Sequence, residues 1–392
     1  MSLHQIPVAK PVLDEQEAEA ARRVILSGWV TQGPEVAKFE EEFAAYVGAP
    51  YACAVSNCTT ALHLALLAIG VQAGDEVITV SHSFVATANA IRHCGATPVF
   101  VDIEAHGFNI DPDRIEVAVT PQTKAILCVH QLGMPCDLRG IIDVARRHGL
   151  KVIEDAACAI GSEVLWNGEW QRIGRPHADI ACFSFHPRKV ITTGDGGMLT
   201  TANPEYDQTF RLLRQHAMTV PDTVRHGSRQ VIFESYDEVG YNYRMTDVQA
   251  AIGRVQLERL PEIIVARRKL GALYTALLSR IDGVRPPAEP AWARSNWQSY
   301  CISLSPGTHQ LTIMQALLDR GISTRRSVMN AHLEPAYRGR DNHRISETLV
   351  HSEAAQVSGI MLPLYVQMDD DDVRMVVSEL HQALVRAPEE AA

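Results

Sequence analysis

The sequence predicts an α/β protein: a large domain with a mostly parallel central sheet covered by helices, then a small C-terminal α+β domain. Three observations carry this. Short β-like runs alternate with helical patterns through the first half of the chain, as crossover connections between parallel strands require. A long amphipathic stretch then meets a proline-rich break at Pro286, Pro287 and Pro290, which marks a boundary. With 392 residues, 46% of them hydrophobic, the chain can fill more than one core.

From Leu13 to Leu26, acids, alanines and aliphatics follow helical spacing, and Gly28, Gly33 and Pro34 supply a stop and a loop before EVAKFEEEFAAYVG begins a second helix. ACAVSN then reads as a short strand, and Thr59 and Thr60 open a helix through ALHLALLAIG, with Gly70 near its end. Further strands are expected at EVITV (76–80), TPVFVDI (97–103), AILCVH (125–130), LKVIED (150–155) and DIACFSFH (179–186), with helices such as IIDVARRHG between them. Residues 216–238 are polar and irregular, which suggests a long surface loop. Apolar residues recur at helical spacing from Leu257 to Ile281 and predict a long helix. QSYCISL, TIMQALLDRGIS and DDDDVRMVVSELHQALVRA supply the smaller domain. The division falls at 1–255 for the large domain and 256–392 for the linking helix and small domain. Aspartates 369–372 read as acids favoured at a helix N-terminus and not as a metal site.

Charge and cysteine usage exclude several function classes. The 36 basic and 46 acidic residues give a net charge of -10, which argues against nucleic-acid binding. The eight cysteines show no C-x-x-C or zinc-module spacing and read as reduced thiols of a cytosolic protein. MSLHQIPVAKPVLDEQE has prolines and acids where a signal peptide would place its apolar core, and no apolar stretch of ~20 residues exists to span a bilayer. A soluble, cytoplasmic protein is expected.

Three motifs carry the chemistry. In VSNCTTAL (55–62) a strand ends and small polar residues open a helix; backbone N–H groups and the helix dipole make such a terminus an anion site, with Thr59 and Thr60 as extra donors. An ordinary N-cap has the same pattern. VIEDAACA (152–159) delivers Asp155 to the carboxyl end of a strand, where α/β sheets bind ligands and where a carboxylate can pair with a protonated ring nitrogen. A lone Asp at such a turn is more often a helix cap. In CFSFHPRKVITTGDGGMLTT (182–201) Lys189 sits on a short loop beside a glycine-rich turn, where desolvation can make a nucleophilic amine. A phosphate cup, a strand-end acid and a lysine are together the parts that a pyridoxal phosphate enzyme needs.

At this point the chain resembles the DegT-type sugar aminotransferase family, a branch of the fold-type I pyridoxal phosphate enzymes. The similarity runs through GWVTQGPEVAKFEEEFAAY, VSNCTTALHLAL, GDEVITVSHSFVATANAI, GATPVFVDI, TKAILCVH, VIEDAACAIGS, FSFHPRKVITTGDGGMLTT, GYNYRMTDVQAAIGRVQL and GISTRRSV. By this resemblance Lys189 matches the Schiff-base lysine and Asp155 the acid beneath the pyridine nitrogen. Cys58 and Thr59 match the phosphate-loop pair, Ser184 a further phosphate contact, and Phe84 an aromatic stacked on the ring. Asn242, in GYNYR, matches a residue that reaches the phosphate from the neighbouring subunit, which implies a homodimer with shared active sites.

The chain also departs from the family pattern. Cys58 stands in place of a usual glycine, and Cys158 where many members carry Gln or His near the ring hydroxyl, so Cys158 is assigned to packing beside the ring. Met134 and Val190 replace a frequent Gln and Asn. His186 could border the substrate pocket, and His332 resembles a small-domain histidine near the sugar. A structural role is as compatible with each. Arg325 and Arg326 are candidates for nucleotide phosphates, because guanidinium forks suit such groups.

The resemblance implies a pyridoxal 5'-phosphate-dependent aminotransferase that moves an amino group from an amino acid, glutamate by preference, to a nucleotide-linked keto-sugar. Lys189 is expected to have a depressed pKa. A cyclitol or other keto-carbocycle is the alternative substrate, and a non-catalytic regulatory protein on the same fold is a further alternative. Retention of Lys189, Asp155, Thr59 and Ser184 together disfavours the latter.

Overall fold

A computed structural model describes residues 5–220, 225, 228–339 and 342–390. The large lobe comprises α1 (Glu15–Ser27), α2 (Pro34–Val47), β1 (Tyr51–Val55), α3 (Cys58–Ala68), β2 (Glu76–Val80), α4 (Ala86–His93), β3 (Thr97–Val101), β4 (Thr123–Val129), α5 (Leu138–His148), β5 (Lys151–Asp155), β6 (Glu163–Trp166), β7 (Glu169–Arg172), β8 (Ile180–Ser184), β9 (Gly197–Thr201) and α6 (Pro204–Leu213). α7 (Asp247–Leu278) leads to β10 (Val284–Arg285), β11 (Ala293–Arg294), β12 (Tyr300–Leu304), α8 (Gln310–Asp319), β13 (Arg325–Arg326), β14 (Arg344–Ile345), α9 (Val350–Ser358), β15 (Gly359–Leu362) and α10 (Asp370–Glu390). No helix among the described residues is long and apolar enough to cross a membrane.

The main sheet has the order β1-β9-β8-β5-β4-β2-β3-β14. From β8 to β14 every pairing is parallel; β9 runs antiparallel to both β8 and β1. The central parallel strands β2, β3, β5 and β8 are buried over most of their length and are rich in apolar residues for that reason. Since β1 and β8 both oppose β9, β1 ends on the same edge of the sheet as β8, β5, β4 and β2. That edge carries the site.

Several expected strands are shorter than the sequence suggests. TPVFVDI stops at Val101, because Asp102 leaves the sheet to accept N–H bonds from His351 and Ser352 at the start of α9, each at 2.8 Å. DIACFSFH stops at Ser184. The fold also contains elements that periodicity does not mark: α4 is one short helix, and β14 a strand of only two residues. The β6–β7 hairpin turns at Asn167 and Gly168, both at positive φ, and the Asn-Gly pair is the available signal for it.

The second lobe packs around its own core, which includes Tyr274, Leu278, Tyr300, Ile302, Leu317, Ile360, Val373 and Leu380. α7 joins the two lobes: Ile263 and Ile264 belong to the large core, Leu270, Tyr274 and Leu278 to the small one. Residue 255 therefore lies inside one continuous helix. The long helix expected from Leu257 to Ile281 begins ten residues earlier, at Asp247, whose carboxylate also accepts the N–H groups of Gly33, Glu35 and Val36 and so closes the start of α2. Ile6 sits in the small-lobe core, bridged to Ile322. Asp369 accepts the N–H groups of Asp371 and Asp372 (3.0 and 2.9 Å), the cap that the four aspartates suggest. The expected surface loop at 216–238 is irregular where it is described, and 221–224, 226 and 227 lie outside the described residues.

Candidate functional site

The cup for an anion is built by sheet register. Val55, Gly197 and Ser184 lie side by side across β1, β9 and β8. A Cβ on Gly197 would lie 2.5 Å from the carbonyl carbon and oxygen of Asn57 and 2.9 Å from Cys58 N, so only glycine lets the turn pass this close. α3 starts here. Asn57 accepts the N–H of Thr60 at 2.9 Å, and the Thr60 hydroxyl donates to the Asn57 carbonyl at 2.7 Å. Thr60 is thus tied into the N-cap, contrary to its expected role as an anion donor. Thr59 is different: its hydroxyl has no partner among the described residues. Cys58 is buried in the first turn, and burial pushes its thiol well above the ordinary range.

Asp155 ends β5 and is buried. Its Oδ2 accepts from the Thr87 hydroxyl at 2.8 Å, and Oδ1 accepts the N–H of Ala157 at 3.2 Å. Ser83 donates in turn to Thr87, at 2.7 Å. Burial raises the carboxyl above its usual value, and the bonds from Thr87 and Ala157, with Lys189 and His130, offset part of that. His130 is fully enclosed; Nδ1 accepts the Cys136 N–H at 2.9 Å, so Nε2 carries the proton toward Glu154, also at 2.9 Å. Sequence reasoning leaves out Thr87, Ser83 and His130. They become legible only when the fold brings α4 and β4 beside β5.

Lys189 reaches the same space from the loop after β8, its Nζ 3.0 Å from the Cys158 sulfur. Burial works against the Lys189 ammonium, but Cys158, Cys58 and Asp155 outweigh it and the net direction is upward. The direction is thus opposite to the depressed value expected from sequence, because Cys158, Cys58 and Asp155 favour the ammonium by more than burial opposes it. Phe84 is 63% exposed in the turn before α4, so it is not a core residue.

The remaining candidates divide. His186 is exposed, and its Nδ1 accepts the N–H of Arg188 at 3.2 Å. His332 is engaged on both ring nitrogens: the Ser81 hydroxyl donates to Nδ1 at 2.6 Å and Nε2 faces Glu353 at 3.2 Å, while the backbone N–H of His332 donates to Ser81 Oγ. This is a structural histidine linking α9 to β2. Arg325 and Arg326 are exposed on β13. Arg326 lies 3.6 Å from Glu334, whereas Arg325 and Arg188 have no carboxylate partner among the described residues. Burial, then Arg188 and Arg326, lower the Arg325 pKa, so its guanidinium lies within electrostatic reach of the other two. Asn242 is exposed, on a strip held to the end of β1 by the Ser56 N–H donating to the Tyr243 carbonyl at 2.8 Å.

These groups fit pyridoxal phosphate: a helix N-terminus with a free hydroxyl for a phosphate, a buried carboxylate for a ring nitrogen, and an amine for an aldehyde. Residues 11–381 match the profile of the DegT/DnrJ/EryC1/StrS aminotransferase family. The chain belongs to this family. It is 38% identical over 387 residues to GDP-perosamine synthase of Caulobacter vibrioides, covering 98% of this chain and 99% of that one. Among solved structures, the aminotransferase TlmJ from Streptoalloteichus hindustanus is 34% identical with a TM-score of 0.88, covering 97% of this chain and 99% of that one. The sugar aminotransferase Spr1654 from Streptococcus pneumoniae, solved in its PLP form and there called putative, is 28% identical with a TM-score of 0.88, covering 98% and 100%. The protein is a pyridoxal phosphate-dependent aminotransferase of a sugar-aminating family.

Proposed function

We propose that the enzyme transfers an amino group from an amino acid, glutamate by preference, to a nucleotide-linked keto-sugar. The cofactor supplies an electron sink for the carbanion that forms when a proton leaves the donor's Cα. The chain's own residues do the rest. The N-terminus of α3, with Cys58, Thr59 and Ser184, would hold the phosphate, and Phe84 would lie against the ring. Asp155 would keep a proton on the pyridine nitrogen, and Thr87 and Ala157 hold its carboxylate in line. Lys189 Nζ would hold the aldehyde and, when free, would move a proton at the reacting carbon.

The observation that carries the substrate class is the group of Arg188, Arg325 and Arg326, of which Arg188 precedes Lys189, and in which two guanidiniums lack a carboxylate partner among the described residues. A diphosphate supplies the missing charge, and Arg forks match its oxygens. A cyclitol ketone would leave the cluster unanswered. Nucleoside diphosphates should raise the melting temperature of the wild-type enzyme, and the shift should disappear in Arg188→Ala and Arg325→Ala. An unchanged shift in both variants would remove the arginines from the site.

We also infer a homodimer with shared sites. Val231, Phe233 and Val239 are at least 85% exposed on the segment that runs into Asn242, an apolar arm that needs a cover. A second copy supplies it and brings Asn242 toward the neighbouring phosphate.

A further inference from the structure

The contact between Cys158 and Lys189 has no use in the reaction derived above, which needs the amine but at no step a thiol. Their separation is 3.0 Å. The pair is held from both sides: the Cys158 carbonyl accepts from Asn296 Nδ2 at 2.7 Å, and the Lys189 N–H donates to the His186 carbonyl at 2.8 Å. The four-carbon lysine stem can close the remaining gap. Among the eight cysteines only Cys94 and this one are half-buried, and of those two only this one touches a lysine amine. Burial pushes the thiols of Cys53, Cys94 and Cys301 up to about 12 and those of Cys58, Cys136 and Cys182 well above the ordinary range. Cys128 is completely enclosed, whereas Cys158 is half-buried in the space that substrate must enter. Thiol oxidation follows such exposure.

We propose that, when the cofactor is absent, hydrogen peroxide converts Cys158 and Lys189 into a reversible sulfenamide that caps the lysine. In the first step the Cys158 sulfur attacks one peroxide oxygen; the O–O bond breaks, the thiol becomes a sulfenic acid and one water leaves. In the second, the neutral Lys189 amine attacks the sulfur, an S–N bond forms, and the S–O bond breaks with loss of a second water. Peroxide is reduced and sulfur oxidised; one thiol, one amine and one peroxide give the sulfenamide and two waters. A dithiol reverses the link, taking the two electrons' worth of oxidation as its own disulfide. Because the amine must be neutral to attack, the second step speeds up as pH rises. The capped amine cannot bond to the cofactor aldehyde, and a bound cofactor, by occupying Lys189, prevents capping.

The test treats full-length enzyme with peroxide, in cofactor-free and cofactor-loaded forms, and reads intact mass, peptide maps and cofactor uptake. Expected in the cofactor-free form is a product lighter by two hydrogens, with the Cys158 and Lys189 peptides joined and added cofactor failing to acquire its lysine-bonded visible absorbance, all three reversed on adding dithiothreitol. The joined peptides should persist in Cys58→Ala, and Cys158→Ser should take up cofactor after peroxide as it does before. A disulfide between Cys58 and Cys158, a Cys158 sulfinic acid with Lys189 free, or no modification would each overturn the proposal. Only protection by bound cofactor rests on Lys189 being the cofactor lysine. If the link forms in both forms alike, that assignment fails while the link stands.

Discussion

Replacing Gly197 by Ala tests whether the cup is set by backbone contact. The φ of Gly197 is not in the left-handed region, so alanine fits the backbone and the whole effect is steric. Its Cβ would meet the Asn57 carbonyl carbon at 2.5 Å, where ordinary contact begins at 3.4 Å. The cup must therefore yield by most of an ångström, or β9 must lift from β1 and β8. Overpacking of this size costs about 1–3 kcal/mol, and the contacted peptide is the one that opens α3, so the strain falls on the phosphate-binding N–H groups. At 1.4 kcal/mol per decade, cofactor affinity should fall about tenfold to a hundredfold. Absorbance titration of cofactor-free enzyme measures this. Gly271→Ala is the control: its Cβ meets the Trp297 ring at 3.0 Å in the small-lobe core, so it should lower the melting temperature and leave cofactor affinity alone. If Gly197→Ala binds cofactor as tightly as wild type, the cup is not set by this contact.

Lys189→Ala should lose the visible absorbance that the cofactor acquires on bonding to the lysine, while still binding it through the cup; turnover at the wild-type rate would contradict the role of Nζ. Asp155→Asn should nearly abolish transamination. Because burial raises the Asp155 pKa in the cofactor-free fold, its contribution to stability is present at low pH and is lost as pH rises through that raised value. The cofactor-free variant should therefore gain on wild type in melting temperature from pH 4 to 7, and a flat difference would oppose this. Glu40 is buried between Arg211 and Arg214; burial alone would raise its pKa, but the two arginines outweigh it and hold it low. Its stabilisation is present above the ordinary carboxylate range and is lost as pH falls through the lowered value. Glu40→Ala leaves both guanidiniums without it and should cost about 3–5 kcal/mol in denaturant melts. In mixed dimers of Lys189→Ala with a bulky acidic substitution of Asn242, one site in each mixed dimer is intact, so random mixing should restore about a quarter of wild-type activity. Mixed dimers that form without recovery would place Asn242 in its own chain's site.

What the sequence makes legible follows from burial. The central parallel strands β2, β3, β5 and β8 are covered on both faces, so each is rich in apolar residues, and such runs announce themselves. β9 is not announced: GMLTT is glycine-led and threonine-rich, and it is a strand because β1 and β8 flank it. Lys189 and Asp155 stand out because chemistry restricts their residue types, whereas Thr87 acts through a hydroxyl that any helix can carry. The free arginine pair depends on β13 approaching the loop after β8, a long-range event with no local signature. Thr60 fails as an anion donor for the opposite reason: its capping partner is only three residues away.

The seating of Ile6 changes how the chain divides. Its N–H donates to the Gly321 carbonyl and its carbonyl accepts from Ser323, both at 2.9 Å, in a core otherwise made of residues beyond 269. In covalent terms the larger lobe is an insertion within the smaller one, entered after residues 5–8 and left along α7. The chain's opening segment thus waits for these partners until residues 321–323 have been synthesised. A cut that frees the first ten residues would leave a vacant seat beside Ile322, more than three hundred positions away, and loosen the lobe that carries Arg325.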